Sequence, residues 1–198
     1  MRYSILSLCL AVLLSCNDTK HEDHANHHDN HKEKTAHDHS KDGETKKKSK
    51  SPRTMAMAMV SGNHIHIDYS SPSVRGRTIF GGLVAYGEVW VTGAHKATNI
   101  AFDKPVSISD VEVPAGKYGL FTIPGKEEWT IILNKQWDMH LADDYSQEED
   151  IIRFSVKPET LSEPTESLTF EVLNNNGTGN ITLKWADVQV SFEAKNVN

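Results

Sequence analysis

Cysteine is nearly absent from this chain. Among 198 residues there are two, Cys9 and Cys16, and both lie within the first sixteen positions. Past position 16 no disulfide and no cysteine-based zinc or redox site can form, so the folded part must rest on its apolar core. A second absence falls between positions 17 and 50, where there is no Ile, Leu, Val, Met or aromatic residue. Such a segment cannot bury enough apolar surface to offset its ordering entropy, which predicts a disordered tether. Basic charge is the third shortage. Residues 17–50 balance eight Lys against eight Asp and Glu, and beyond position 50 there are 12 basic and 19 acidic residues, a net of −7. An acidic domain without a basic stripe excludes nucleic acid as the expected partner. It also excludes attachment to an anionic bilayer by charge alone. No phosphate loop, nucleophile elbow or His-Glu-x-x-His occurs.

What is present begins at the N-terminus. Met1-Arg2-Tyr3 carries one positive charge, an apolar run follows from Ile5 to Leu14, and Leu13-Leu14-Ser15-Cys16 closes it. At about 15 Å as a helix, the run is too short for a hydrocarbon core of about 30 Å. It reads as a lipoprotein signal over residues 1–15, cut before Cys16 at the small Ser15. Cys16 is then the lipid-attachment residue, and each buried methylene of its acyl chains contributes about 0.8 kcal/mol to anchoring. The expected partner is therefore a membrane, held through the lipid. Asn17, in place of an aspartate that retains lipoproteins at the inner membrane, points to the outer membrane. Lys20-His21-Glu22-Asp23 resembles a surface-export signal, which leaves open the periplasmic face or the cell surface.

Residues 16–50 form the lipidated cysteine and tether, and 51–198 the folded domain. Met55, Met57 and Met59 alternate with alanines, Ser61-Gly62-Asn63 turns the chain, and Ile65, Ile67 and Tyr69 alternate with His64, His66 and Asp68. This predicts a hairpin. Further strands are expected at 88–92, 98–102, 106–109, 117–123, 129–134, 151–157, 167–173, 180–185 and 188–194, the last two as a closing hairpin after the turn Asn174-Asn175-Asn176-Gly177. A short helix or irregular loop is expected at 79–86 and at 143–150. Short strands at this spacing, without a long 3.6-residue period, predict an all-β antiparallel β-sandwich, jelly-roll or immunoglobulin-like.

Several short motifs recur in order. Asp68-Tyr69-Ser70-Ser71-Pro72 leads to Ile79-Phe80-Gly81-Gly82-Leu83-Val84, then to Tyr86-Gly87-Glu88-Val89-Trp90 and Thr92-Gly93-Ala94. Pro114-Ala115-Gly116-Lys117-Tyr118, Leu120-Phe121-Thr122-Ile123-Pro124 and Trp129-Thr130-Ile131-Ile132 follow. Together they resemble domain-of-unknown-function family twenty-nine-eleven, secreted and lipid-anchored bacterial domains, from about Ser51 to the final strand. The resemblance implies an extracytoplasmic domain and no particular activity. The chain departs from the family pattern at Val91, where a basic residue often follows the tryptophan. It departs again at His95, where asparagine is frequent, and over Met139-His140-Leu141.

Histidine is the main chemical signal. His21, His24, His27, His28, His31, His37 and His39 lie in the tether among Asp and Glu. Imidazoles on a flexible chain suit zinc or copper, as plural and exchangeable sites. In the domain, His64, His66 and Asp68 share one strand face and form a second candidate metal set, against the simpler reading of a solvent-facing strand. Trp129 and Trp185 are expected in the core. Trp90 and Trp137 are candidate ligand platforms, with His95 beside Trp90. The carboxylate pairs Glu127-Glu128 and Asp143-Asp144 read as solvated loops. The leading expectation is a non-enzymatic, lipid-anchored envelope protein whose sandwich binds a small molecule, glycan or envelope protein. The alternatives are zinc or copper capture by the tether, and an envelope hydrolase. The hydrolase reading requires at least two of His64, His66, Asp68, His95 and His140 to converge in one pocket.

Overall fold

The computed structural model describes residues 49–197. Cys16 and the seven tether histidines lie outside the described residues. The expected all-β fold is what forms: two antiparallel sheets and no α-helix among the described residues. The larger sheet has six strands and the smaller has four.

The chain opens with the expected hairpin, β1 (Arg53–Val60) and β2 (Asn63–Ser70). Ser61 and Gly62 have φ of 48° and 75°, the two left-handed residues of a type I′ turn, whose twist matches that of the flanking strands. Then come β3 (Asn99–Phe102), β4 (Val106–Ile108) and β5 (Val111–Val113). β6 (Gly116–Ile123), β7 (Trp129–Asn134) and β8 (Asp150–Val156) complete the larger sheet. Two long strands, β9 (Glu159–Asn175) and β10 (Thr178–Asn196), pair with each other through most of their length. The larger sheet has the order β1-β2-β3-β6-β7-β8, and the smaller has β5-β4-β10-β9.

Strict alternation decides which face looks inward. Ile65, Ile67 and Tyr69 of β2 are buried with Ile100, Leu120, Ile131 and Leu133 from the larger sheet. Facing them are Leu168, Phe170, Ile181, Leu183 and Trp185 from the smaller one. At about 25 cal/mol per Å², burial of such side chains is the main stabilising contribution in a domain without disulfides. Trp129 and Trp185 are both core residues, as expected. Phe121 and Ile132 point to the opposite face of the larger sheet, yet they are buried too. They sit in a second, smaller core with Val91, Ala97 and Met139, built where the loops around 89–97 and 139–145 fold over that face.

The structure corrects three expectations about secondary structure. Residues 88–92 do not form a strand; only an isolated bridge joins Trp90 to Thr122. Thr92, with φ of 52°, turns the backbone out of extended geometry there. Residues 180–185 and 188–194 are one strand, not a hairpin. Ala186, at φ 52°, marks a bulge where the register to β9 shifts and the strand continues. A strand not expected, β5, pairs with β4 across a turn in which Ser109 and Asp110 have φ of 48° and 64°. Residues 79–86 take the irregular alternative, and 143–150 holds a single 3-10 turn, Gln147–Glu149. Among the described residues no helix is long and apolar enough to cross a membrane.

Candidate functional site

Between β2 and β3 the chain runs from residue 71 to 98 without a regular strand. Connections in compact domains are usually about 4–6 residues, and longer ones are commonly functional. This segment and the 139–141 stretch enclose a cavity of about 440 Å³, within the size range of small-molecule pockets. Pro72, Val84, Val91 and Trp90 form apolar wall, and Trp185 reaches it from β10. Leu83 and Leu141 also line it although they are 52% and 41% exposed. Two large aliphatic side chains of its lining thus lie open to solvent.

The polar groups of the cavity are few. His95 and His140 both line it, with ring centroids 6.2 Å apart. Their segments are stitched together: Lys96 bridges to His140, and the Leu141 N–H donates to the His95 carbonyl at 2.7 Å. Arg77 adds a guanidinium, positioned by Nε donating to the Val74 carbonyl at 3.0 Å and Nη2 to the Ser73 carbonyl at 2.6 Å. Among the described residues no carboxylate lines the cavity.

Its back wall is aromatic and held rigidly. Trp90 stacks on Trp185 at 5.8 Å between centroids and 18° from parallel, and Phe80 meets both edge-on. The Trp90 indole N–H donates to the Gly93 carbonyl at 3.1 Å. Trp185 Nε1 is buried and has no hydrogen-bond partner among the described residues, a cost that native cores rarely carry without a reason. Strain gathers in the same place. Thr92, His95 and Leu141 have φ of 52°, 63° and 56°, and a left-handed β-branched residue such as Thr92 costs on the order of 1–2 kcal/mol. Such outliers persist where the surroundings over-determine them, often at ligand sites.

The expected site residues separate into two groups. Trp90 and His95 do line one cavity, and His140 joins them. His64, His66 and Asp68 stand elsewhere, on the outward face of β2, half-buried. His66 Nε2 lies 3.3 Å from Asp68 Oδ2. No group of three His, Cys, Asp or Glu is arranged to hold a metal among the described residues. Trp137 lies outside the cavity, 38% exposed, with Lys117 Nζ 4.1 Å from its ring centre. Glu127, Glu128, Asp143 and Asp144 are exposed in loops. Sequence reasoning misses Arg77, Leu83, Leu141 and Trp185, because three separate parts of the chain supply them and no local pattern connects those parts.

The molecule is thus an antiparallel two-sheet domain with one aromatic-backed, largely apolar pocket roofed by irregular chain. It belongs to the family described as a protein of unknown function, DUF2911, whose model matches residues 51–194. No curated protein and no solved structure matches the chain. Val91, His95, His140 and Leu141 line this pocket, and Met139 packs in the small core behind it.

Proposed function

We propose that this is a lipid-anchored protein of the cell envelope whose sandwich binds a small molecule with an apolar, flat body and one acidic group. The pocket carries the reading. Its apolar wall removes a hydrocarbon or ring from water, and Arg77, His95 and His140 supply hydrogen-bond donors at its polar side, with no opposing carboxylate among the described residues. The address rests on the Leu13-Leu14-Ser15-Cys16 sequence, with the outer membrane favoured by Asn17. Binding is favoured over hydrolysis by the wall's chemistry. Although His95 and His140 converge, among the described residues no carboxylate lines the cavity to orient either ring, and the lining Ser51 hydroxyl makes no hydrogen bond to either imidazole. A nucleophile needs a positioned base that is itself oriented.

Titration of the protein with phenylbutyrate and with its neutral alcohol, followed by tryptophan fluorescence, tests the reading. Saturable quenching is expected, stronger for the acid. Leu83→Glu should weaken it, and His95→Ala or His140→Ala should narrow the preference for the acid. Absence of saturable binding below about 1 mM, equivalent to about 4 kcal/mol, or equal binding by Leu83→Glu, would overturn it.

A further inference from the structure

The outward face of the β1–β2 hairpin has an inverted pattern. β1 is an edge strand, and alternation turns Ala56 and Ala58 toward the core while Met55, Met57 and Met59 face solvent. The three methionines are 53%, 47% and 59% exposed. Apolar burial alone would place the larger residues inside. Register shows what they meet instead. Met59 lies opposite His64, Met57 opposite His66 and Met55 opposite Asp68. In a two-residue hairpin the pair flanking the turn is hydrogen-bonded, so these three are the closer, non-hydrogen-bonded pairs, with Cα atoms about 4.5 Å apart.

We propose that this face is a binding site for a monovalent soft cation, Cu(I) or its stand-in Ag(I), held by thioethers of Met57 and Met59 with imidazoles of His64 and His66. This site is separate from the pocket and does not depend on the reading of it. Thioether sulfur selects Cu(I) among the biological metals, and methionine's three rotatable bonds let neighbouring side chains converge on one ion. The His64 and His66 ring centroids are 5.8 Å apart. Two imidazoles bound through nitrogen at about 2.0–2.1 Å can share an ion at up to roughly 6 Å between centroids. Asp68 supplies an outer contact. His66 Nε2 faces Asp68 Oδ2 at 3.3 Å, which leaves Nδ1 as the ring nitrogen for the ion, as in carboxylate–histidine–metal arrangements. Met55 extends the thioether row toward Asp68. Zinc has no matching set here, because the nitrogen and oxygen donors alone do not form a three-ligand group among the described residues.

Labelling the full chain with methyl-13C methionine gives a direct test. Met139, buried in the second core, serves as the internal control. Titration with Ag(I), and with Cu(I) under ascorbate, should shift the methyl signals of Met57 and Met59 first and leave Met139 and the zinc titration unmoved. Replacing Met55, Met57 and Met59 together by leucine should weaken Ag(I) binding by at least about tenfold. His64→Gln with His66→Gln should weaken it as well. Unshifted exposed methyl signals in the wild-type protein would overturn the proposal. So would undiminished affinity in the leucine variant, which would assign the ion to the histidines at positions 21–39.

Discussion

The Thr98 hydroxyl donates a 2.9 Å hydrogen bond to the carbonyl of Thr92, and both residues are completely buried. Thr92 in turn points its own hydroxyl at Thr122 Oγ1, 3.2 Å away. Thr92 is therefore gripped from β6 and from the residue just before β3, which is how its left-handed backbone survives behind the pocket.

Thr98→Val keeps the shape of the side chain and removes the donor. An unsatisfied buried carbonyl costs about 1–3 kcal/mol, so thermal unfolding should fall by several degrees. Phenylbutyrate binding should weaken more than an equally destabilising change far from the pocket weakens it. Calorimetry and fluorescence on the same variant check both outcomes.

Ser61→Asn should stabilise the first hairpin. Ser61 sits at φ 48° before Gly62, and Asn-Gly is the preferred pair for this turn. A gain of a few tenths of a kcal/mol up to about 1 is expected, read as a raised denaturation midpoint with an unchanged slope.

Stability should decline above pH 10, and Tyr145 should account for much of the decline. Burial, followed by a 2.7 Å hydrogen bond to Asp150 and that residue's charge, pushes the Tyr145 phenol well above its usual range, with Arg153 opposing. Burial raises Tyr69 and Tyr118 as well. A group whose folded pKa is raised contributes stability that is fully present below its unfolded pKa of about 10 and is lost as pH climbs toward the folded value. Urea unfolding at pH 9 and pH 11 should show a smaller difference for Tyr145→Phe than for the parent chain. An identical difference would contradict this assignment.

Cys16→Ala should release the protein from membranes. Expressed in a bacterium that processes lipoproteins, the parent chain should sediment with the outer membrane and incorporate labelled palmitate. The variant should do neither. Sedimentation of the variant with membranes would remove the lipid from the account.

Much of the fold was legible because alternation was strict wherever one face was buried. The first hairpin needed only its isoleucines and a Ser-Gly turn, and 129–134 coincides with β7. Where backbone and pattern part company, the reading failed. Val89, Trp90 and Val91 look like a strand, but their side chains serve two different cores along an irregular path. Ala186-Asp187 looks like a turn, but neighbouring pairs with β9 carry the strand past it. Within the site, Trp90 and His95 stood out by residue type. Trp185 read only as core, since nothing local places its ring against Trp90. The pairing of Met57 with His66 needed the hairpin register, which follows once the two-residue turn is fixed.

The beginning and end of the domain are latched together. The Asn63 side-chain amide donates to Asn196 Oδ1 at 2.8 Å, and the Asn196 amide donates to the Val60 carbonyl at 2.9 Å. A polypeptide delivered N-terminus first, whether from a ribosome or through a narrow channel, must keep its opening hairpin unlatched until its last few residues arrive. Folding is then a single late event gated by completion, slow because its contacts span nearly the whole domain. A nascent or truncated product ending before position 196 should stay a substrate for proteases.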